Sequence, residues 1–238
     1  MKEEIYDSAA EVRPETEMNS KRKTELEKAD YQHDNSRPWH LMEPAVAYDV
    51  TRKKQGEYTL DDYYSLPDDR RVELIDGVIY DMGVPTFLHQ MVAGKVYYEV
   101  TKYIEGRGGK CIPALSPVDV CLDCDNKTMV QPDMISLCDK SSIKRWGIMG
   151  TPDFVLEVLS DSTRSKDCTM KLEKYTDAGV KEYWIIDPKK QQLIVYDYIN
   201  GDFPVHYSLD QKVGMALYDG KLEIDLNEIA ALIQEWPG

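Results

Sequence analysis

Long apolar runs are missing from this 238-residue chain, and so is any surplus of positive charge. No stretch approaches the roughly eighteen consecutive apolar residues that a membrane-spanning helix needs, so no membrane partner is expected. The opening residues, MKEEIYDSAAEVRPE, carry acids where a secretory signal has a basic stretch followed by an apolar one, and a cytoplasmic protein is expected. Lysine and arginine number 29 against 43 aspartate and glutamate, a formal charge of −14. That balance excludes a surface basic throughout; a nucleic-acid binder of this composition has to work through a local basic channel. Cysteine is scarce and odd in number: five, at Cys111, Cys121, Cys124, Cys138 and Cys168. Scattered through strand-like segments and one helix start, they suit reduced, buried thiols better than a disulfide framework. The single CxxC at Cys121 and Cys124 lacks the second ligand pair of a zinc ribbon.

What is present is enough apolar material, 42% of the chain, to bury a core the size of one domain. Residues 1–54 hold 10 basic and 12 acidic side chains, with Pro14, Pro38 and Pro44 and no sustained apolar period. They read as a flexible N-terminal extension, with a transient charged helix over 20–29. The extension carries −2, so residues 55–238, the expected folded domain, carry −14 + 2 = −12.

Within that domain the apolar spacing predicts a short helix over 60–66 capped by Thr59 and ended at Pro67. A hairpin follows over 72–82, turning at Asp76-Gly77. Over 87–104, Met91, Val92, Val96, Val100, Tyr103 and Ile104 recur three and four apart, an amphipathic helix closed by Gly106, Gly108 and Gly109. Strands are expected at 111–115, 117–122, 129–131 and 134–138, then a loop through Trp146 and Gly150. FVLEVL, 154–159, is short and nearly all apolar, the mark of a central strand buried on both faces. A helix over 165–178 ended by Gly179, strands over 183–187 and 192–198, short strands near His206 and Lys221, and a helix over 226–236 complete an α/β fold in which helices flank a mixed sheet.

Three acids fall where burial is expected: Glu73 in the hairpin, Asp133 at a strand start and Glu157 inside FVLEVL. Val155, Glu157 and Leu159 share one strand face, so Glu157 emerges among apolar neighbours unless a cation or donor meets it. A hard divalent cation such as Mg²⁺ satisfies all three acids at once. Lys171 lies on the helix face Asp167, Lys171, Lys174 or Tyr175, and Ala178, and the crossover packs that helix back on the sheet. Plainer readings stand beside this one. Glu157 pairs with a structural cation, Asp133 opens an Asx turn, and Glu73 is solvated. Tyr175 and Trp184 read as packing residues, and Lys166, Lys174 and Lys181 as phosphate contacts or a solvated face.

The segments RVELIDGVIYDM, LHQMV, SPVDVCLD, VQPDMISLCD, GTPDFVLEVLSDSTRSKD, KLEKYTDAGVKEYWIIDP and VYDY, in this order, resemble the Uma-type bacterial restriction endonucleases of the PD-(D/E)XK nuclease superfamily. The resemblance implies a restriction-endonuclease-like core of helix, three strands, helix and strand, and a Mg²⁺-dependent endonuclease, with Mn²⁺ an acceptable substitute, acting on DNA. It implies metal ligands at Asp133 and Glu157, assisted by Glu73, and an accessory His89. The superfamily's lysine lies two positions after the second acid, where this chain has Leu159, and Lys171 takes the role from the helix. Cutting two strands takes two sites, so a homodimer belongs to the expectation. The alternative is an inactive or partner-dependent nuclease-fold binding module, favoured by the −14 charge and by Leu159.

Overall fold

A computed structural model describes residues 53–67, 70–122, 125–160 and 164–236. The extension, except Lys53 and Lys54, lies outside them, as do its 20–29 segment and Cys124. Helix α1 (Leu60–Tyr64) starts at Thr59, whose N–H donates to Asp62 Oδ2 at 2.8 Å in a capping box. Strands β1 (Val72–Ile75) and β2 (Val78–Asp81) form the expected hairpin. Asp76 and Gly77 both take left-handed backbone, φ 51° and 75°, as a two-residue hairpin turn demands. A Cβ on Gly77 would sit 2.5 Å from the Gly56 carbonyl oxygen. Gly77→Ala is therefore expected to cost more than about 1 kcal/mol in urea unfolding, and a loss under half of that would refute the constraint.

Helix α2 (Phe87–Arg107) buries Leu88, Val92, Val96, Val100 and Ile104. It runs three residues beyond the expected end at Ile104, because Gly106 stays helical and Gly108, at φ 63°, makes the left-handed cap. The sheet then begins: β3 (Ile112–Leu115), β4 (Asp119–Cys121), β5 (Met134–Leu137), β6 (Ile143–Lys144), β7 (Gly147–Met149) and β8 (Phe154–Val158). A crossover follows in three helical pieces: α3 (Arg164–Lys166), a π-helical turn (Asp167–Lys171) and α4 (Leu172–Ala178), capped by Gly179. Strands β9 (Glu182–Asp187), β10 (Gln192–Asp197), β11 (Asp202–Ser208), β12 (Lys212–Gly214) and β13 (Glu223–Asp225) precede helix α5 (Leu226–Glu235).

The central sheet has the order β11-β10-β9-β8-β5-β3, antiparallel except for the β8–β9 pair that the crossover joins. On one face Met134, Phe154, Leu156, Val158, Trp184 and Ile186 pack with apolar residues of α2 and α5. On the other, Ile135, Val155, Leu159, Tyr183 and Ile185 meet Tyr175 and Ile75. The fold is α/β, a mixed central sheet flanked by helices, and β8 is buried on both faces as its apolar run requires. No helix among the described residues is long and apolar enough to cross a membrane.

Four expectations need correction. The strand expected over 129–131 reduces to two isolated bridges, Met129 to Leu74 and Val130 to Val120. The loop through Trp146 contains β6 and β7, which join β4 as a three-stranded sheet of order β4-β7-β6. Strands of two and three residues are too short to show a period, and Gly147 is what admits the pairing, since a Cβ there would lie 2.3 Å from the Asp119 carbonyl oxygen. The helix expected over 165–178 is interrupted by the π turn. Cys111 and Cys138 are joined as a disulfide: antiparallel β3 and β5 pair Ile112 with Leu137, so the next pair outward is Cys111 with Cys138. Cys121 is buried, as expected, and Cys168 is half-buried.

Arg164, at the head of α3, forks onto Asp187 at the end of β9, with Nη2 2.8 Å from Oδ1. Arg164 holds the Asp187 carboxyl below its usual range, although burial pushes the other way. A depressed folded-state pKa gives stability that is present above the unfolded value, near 3.9, and lost as pH falls through the folded one. Urea unfolding of the wild type is expected to weaken below about pH 4, and Arg164→Gln to flatten part of that decline. Identical acid limbs in the two proteins would remove this pair from the account.

Candidate active site

The strand half of the site follows from register. Antiparallel β5 and β8 pair Met134 with Leu156, so one step further sets Asp133 level with Glu157. Asp133 Oδ2 accepts the Val158 N–H at 2.7 Å and lies 3.0 Å from His89 Nε2. His89 sits in the first turn of α2, where its own N–H donates to the capping Thr86 hydroxyl at 3.2 Å. Burial pulls the His89 pKa down, but the hydrogen bond and charge of Asp133 more than offset it, so the imidazole titrates above its ordinary value. The side chains of Asp133 and His89 are 15% and 14% exposed.

The helix half is closed. Lys171, in the π turn, places Nζ 2.7 Å from Glu157 Oε1, 2.7 Å from Glu73 Oε1 and 3.4 Å from Asp167 Oδ1, and its side chain is 3% exposed. Tyr175 donates its hydroxyl to Glu157 Oε1 at 2.7 Å. Glu73 Oε1 also accepts the Gln131 N–H at 3.0 Å, and its Oε2 pairs with the Lys166 ammonium. Single-turn π segments occur often at functional sites. This one brings Asp167 and Lys171 into the cluster at the point where the crossover meets β8.

Burial and charge then divide the protons. Burial raises the Glu157 carboxyl well above its usual range; Lys171 opposes that, while Asp133, Asp167 and Glu73 add to it. Burial also raises Glu73, yet Lys171 and Lys166 more than offset it, so its carboxyl lies below the usual range. Burial works against the Lys171 charge, but Glu157, Glu73 and Asp167 hold the ammonium on well beyond ordinary lysine. Lys171 and Glu73 are thus favoured in their charged forms, while burial works against the charge on Glu157.

All five residues singled out from the sequence, Glu73, His89, Asp133, Glu157 and Lys171, come together here. Glu73 is not solvated: it is fully buried, with both oxygens engaged by the two ammoniums. Sequence reasoning missed four contributors: Tyr175, Lys166, Asp167 and the backbone of Gln131. The signal for two of them was the face itself, since Asp167 and Tyr175 stand four residues either side of Lys171. Lys174 and Lys181 pair instead with Asp76 and Asp153 at 2.5 and 2.6 Å, and Trp184 packs edge-on against Phe154 in the opposite core.

Among the described residues no three His, Cys, Asp or Glu side chains form a ready metal cage. The donor chemistry nonetheless fits a hard cation. Protein contacts among the described residues fall on Oδ2 of Asp133 and Oε1 of Glu157, so the second oxygen of each carboxylate is the donor a cation would take. Mg²⁺ binds in this manner, through one or two carboxylates with water and substrate phosphate completing its shell.

Residues 60–212, which include all five site residues, match the model of the Uma2 family, described as "Putative restriction endonuclease". Among solved structures, the crystal structure of a putative nuclease belonging to DUF820 from Anabaena variabilis matches with a TM-score of 0.61 at 19% identity, over 74% of this chain and 98% of that one. At that identity the likeness concerns the fold. No curated protein matches the chain. With the match spanning well over half of its length, this chain belongs to the Uma2 family.

Proposed function

We propose that this protein is a cytoplasmic, Mg²⁺- or Mn²⁺-dependent endonuclease that hydrolyses phosphodiester bonds of DNA. The observation that carries the reading is the β5–β8 register, which sets Asp133 level with Glu157, with the Lys171 ammonium 2.7 Å from Glu157. Asp133 and Glu157 would hold the cation, which supplies positive charge at the scissile phosphate and acidifies water within its reach. His89 and the Val158 N–H orient Asp133, and Tyr175 orients Glu157. Glu73 anchors Lys171 and Lys166 and so fixes the Lys171 ammonium beside Glu157. Of the contacts Lys171 makes, the one to Asp167 is the longest and the least costly to exchange for a water, which the ammonium then positions for attack. Substrate approaches from the side of Asp133 and His89, where the cluster meets solvent. A homodimer would present one such site to each strand of a duplex.

A second reading has its own observation: Lys171 is nearly closed off from solvent by three carboxylates, as in a structural ion network. On that reading the protein is a nuclease-fold module that binds without cutting, alone or with a partner. The two are separated by incubating pure protein with supercoiled and linear DNA in Mg²⁺ or Mn²⁺, and measuring metal binding by calorimetry in parallel. Metal-dependent cleavage supports the nuclease, and metal binding without cleavage supports the module.

A further inference from the structure

Beside the acids lies a cavity of about 370 Å³. His89 forms part of its wall and touches Asp133 at 3.0 Å, so one side chain links the cavity to the site. Its floor is apolar, with Leu159 and Ile233, and its rim is polar and cationic, with Arg164, Lys189 and Gln191. A concave apolar floor with a few polar groups at its edge, in this size range, is the form of a small-molecule-sized binding site.

Leu159 gives the cavity its character. It lies two residues after Glu157 and is almost wholly buried. Because the ammonium beside Glu157 comes from Lys171, on the crossover helix, the Leu159 position is left to an apolar side chain. The rim adds a fixed cation. Arg164 is 31% exposed yet held in a two-pronged pair by Asp187, itself 1% exposed, so its guanidinium is oriented before any ligand arrives. Lys189 and Gln191 both stand in the turn after β9, where Gln191 takes left-handed backbone at φ 48° and brings a side-chain amide to the rim. An apolar slot, an amide and two cations side by side match the parts of one nucleotide: the face of a base, its hydrogen-bonding edge and the adjoining phosphate.

We propose that this cavity receives one unpaired nucleobase of the substrate strand beside the scissile phosphate, with the neighbouring phosphate on Arg164 and Lys189. The inference rests on the nuclease reading and narrows it: the favoured substrate carries an unpaired nucleotide at the cut, because a base stacked in an intact duplex has to be unstacked before it enters a slot.

The test is equilibrium binding by the full chain in EDTA, which prevents cutting. The probes are 2-aminopurine-labelled oligonucleotides of one sequence: a single strand, a perfect duplex, and a duplex with a one-nucleotide bulge. Wild type is expected to bind the single strand and the bulge at least about tenfold more tightly than the duplex. Leu159→Phe, which fills the floor, is expected to erase that preference. Gln191→Gly, in an exposed turn that glycine suits, guards against a Leu159 variant that fails to fold; it is expected to reduce the same preference for unpaired over duplex probes. Equal wild-type affinity for duplex and unpaired substrates, or a preference that both variants retain, overturns the proposal. Mg²⁺-dependent cleavage, scored separately, keeps the two readings apart. Cleavage of duplex DNA without the preference overturns the cavity alone, the preference without cleavage overturns the nuclease alone, and neither binding nor cleavage overturns both.

Discussion

Asp133→Asn is expected to lower Mg²⁺-dependent DNA cleavage by more than about a hundredfold, because it neutralises a proposed ligand, whereas loss of an outer-shell partner costs about 10–100-fold. The fold should survive. Asparagine keeps an acceptor for the Val158 N–H, which Asp133 Oδ2 meets at 2.7 Å, and for the His89 Nε2 at 3.0 Å. Asp133→Ala removes that acceptor as well and leaves a buried N–H unpaired, so it should additionally lose about 1–3 kcal/mol in urea unfolding. The two variants together separate chemistry from folding. Cleavage by the Asn variant within tenfold of wild type would remove Asp133 from the metal site.

Lys171→Met is expected to be the most destabilising single change in the site. Glu73 would retain Lys166, but Glu157 would lose its ammonium while keeping only the Tyr175 hydroxyl. Removing one partner of a buried ion pair costs about 3–5 kcal/mol, because the remaining charge has neither water nor a counterion. Lys171→Met should also lack nuclease activity, and the double variant Glu157→Gln/Lys171→Met should recover about 1–3 kcal/mol of the lost stability, the coupling of two groups in contact. The measurement is a double-mutant cycle by chemical denaturation. A single variant within about 1 kcal/mol of wild type would mean that Lys171 does not compensate a buried charge, and the closed cluster would need another explanation.

Glu157 shows how far the pattern of residues reaches. FVLEVL announces a strand buried on both faces, and a carboxylate inside such a strand demands a partner, so both the strand and the demand are legible in the residues themselves. So were the Asp76-Gly77 turn, the Thr59 cap and the chain order of the core elements, because each depends on residues a few positions apart. The family's ordered segments pointed in addition to Lys171, which no spacing rule isolates from the other lysines of its helix. Tyr175 illustrates the opposite limit. An aromatic on a helix face reads as packing, and only the seating of that helix over β8 turns its hydroxyl onto Glu157.

The sequence by itself therefore determined the local elements, the face on which each apolar residue lies and the identity of the acids, since these follow from periodicity and from the cost of burying charge. Tertiary structure alone decided what meets what. Antiparallel register set Asp133 level with Glu157 and brought Cys111 to Cys138, 27 residues apart. Strands too short to show a period built the separate sheet β4-β7-β6. The π turn and the hairpin, far apart in the chain, delivered Lys171 and Glu73 to the same buried point. Such contacts depend on how distant segments pack, and an ammonium nearly closed to solvent keeps its charge only where that packing assembles carboxylates around it.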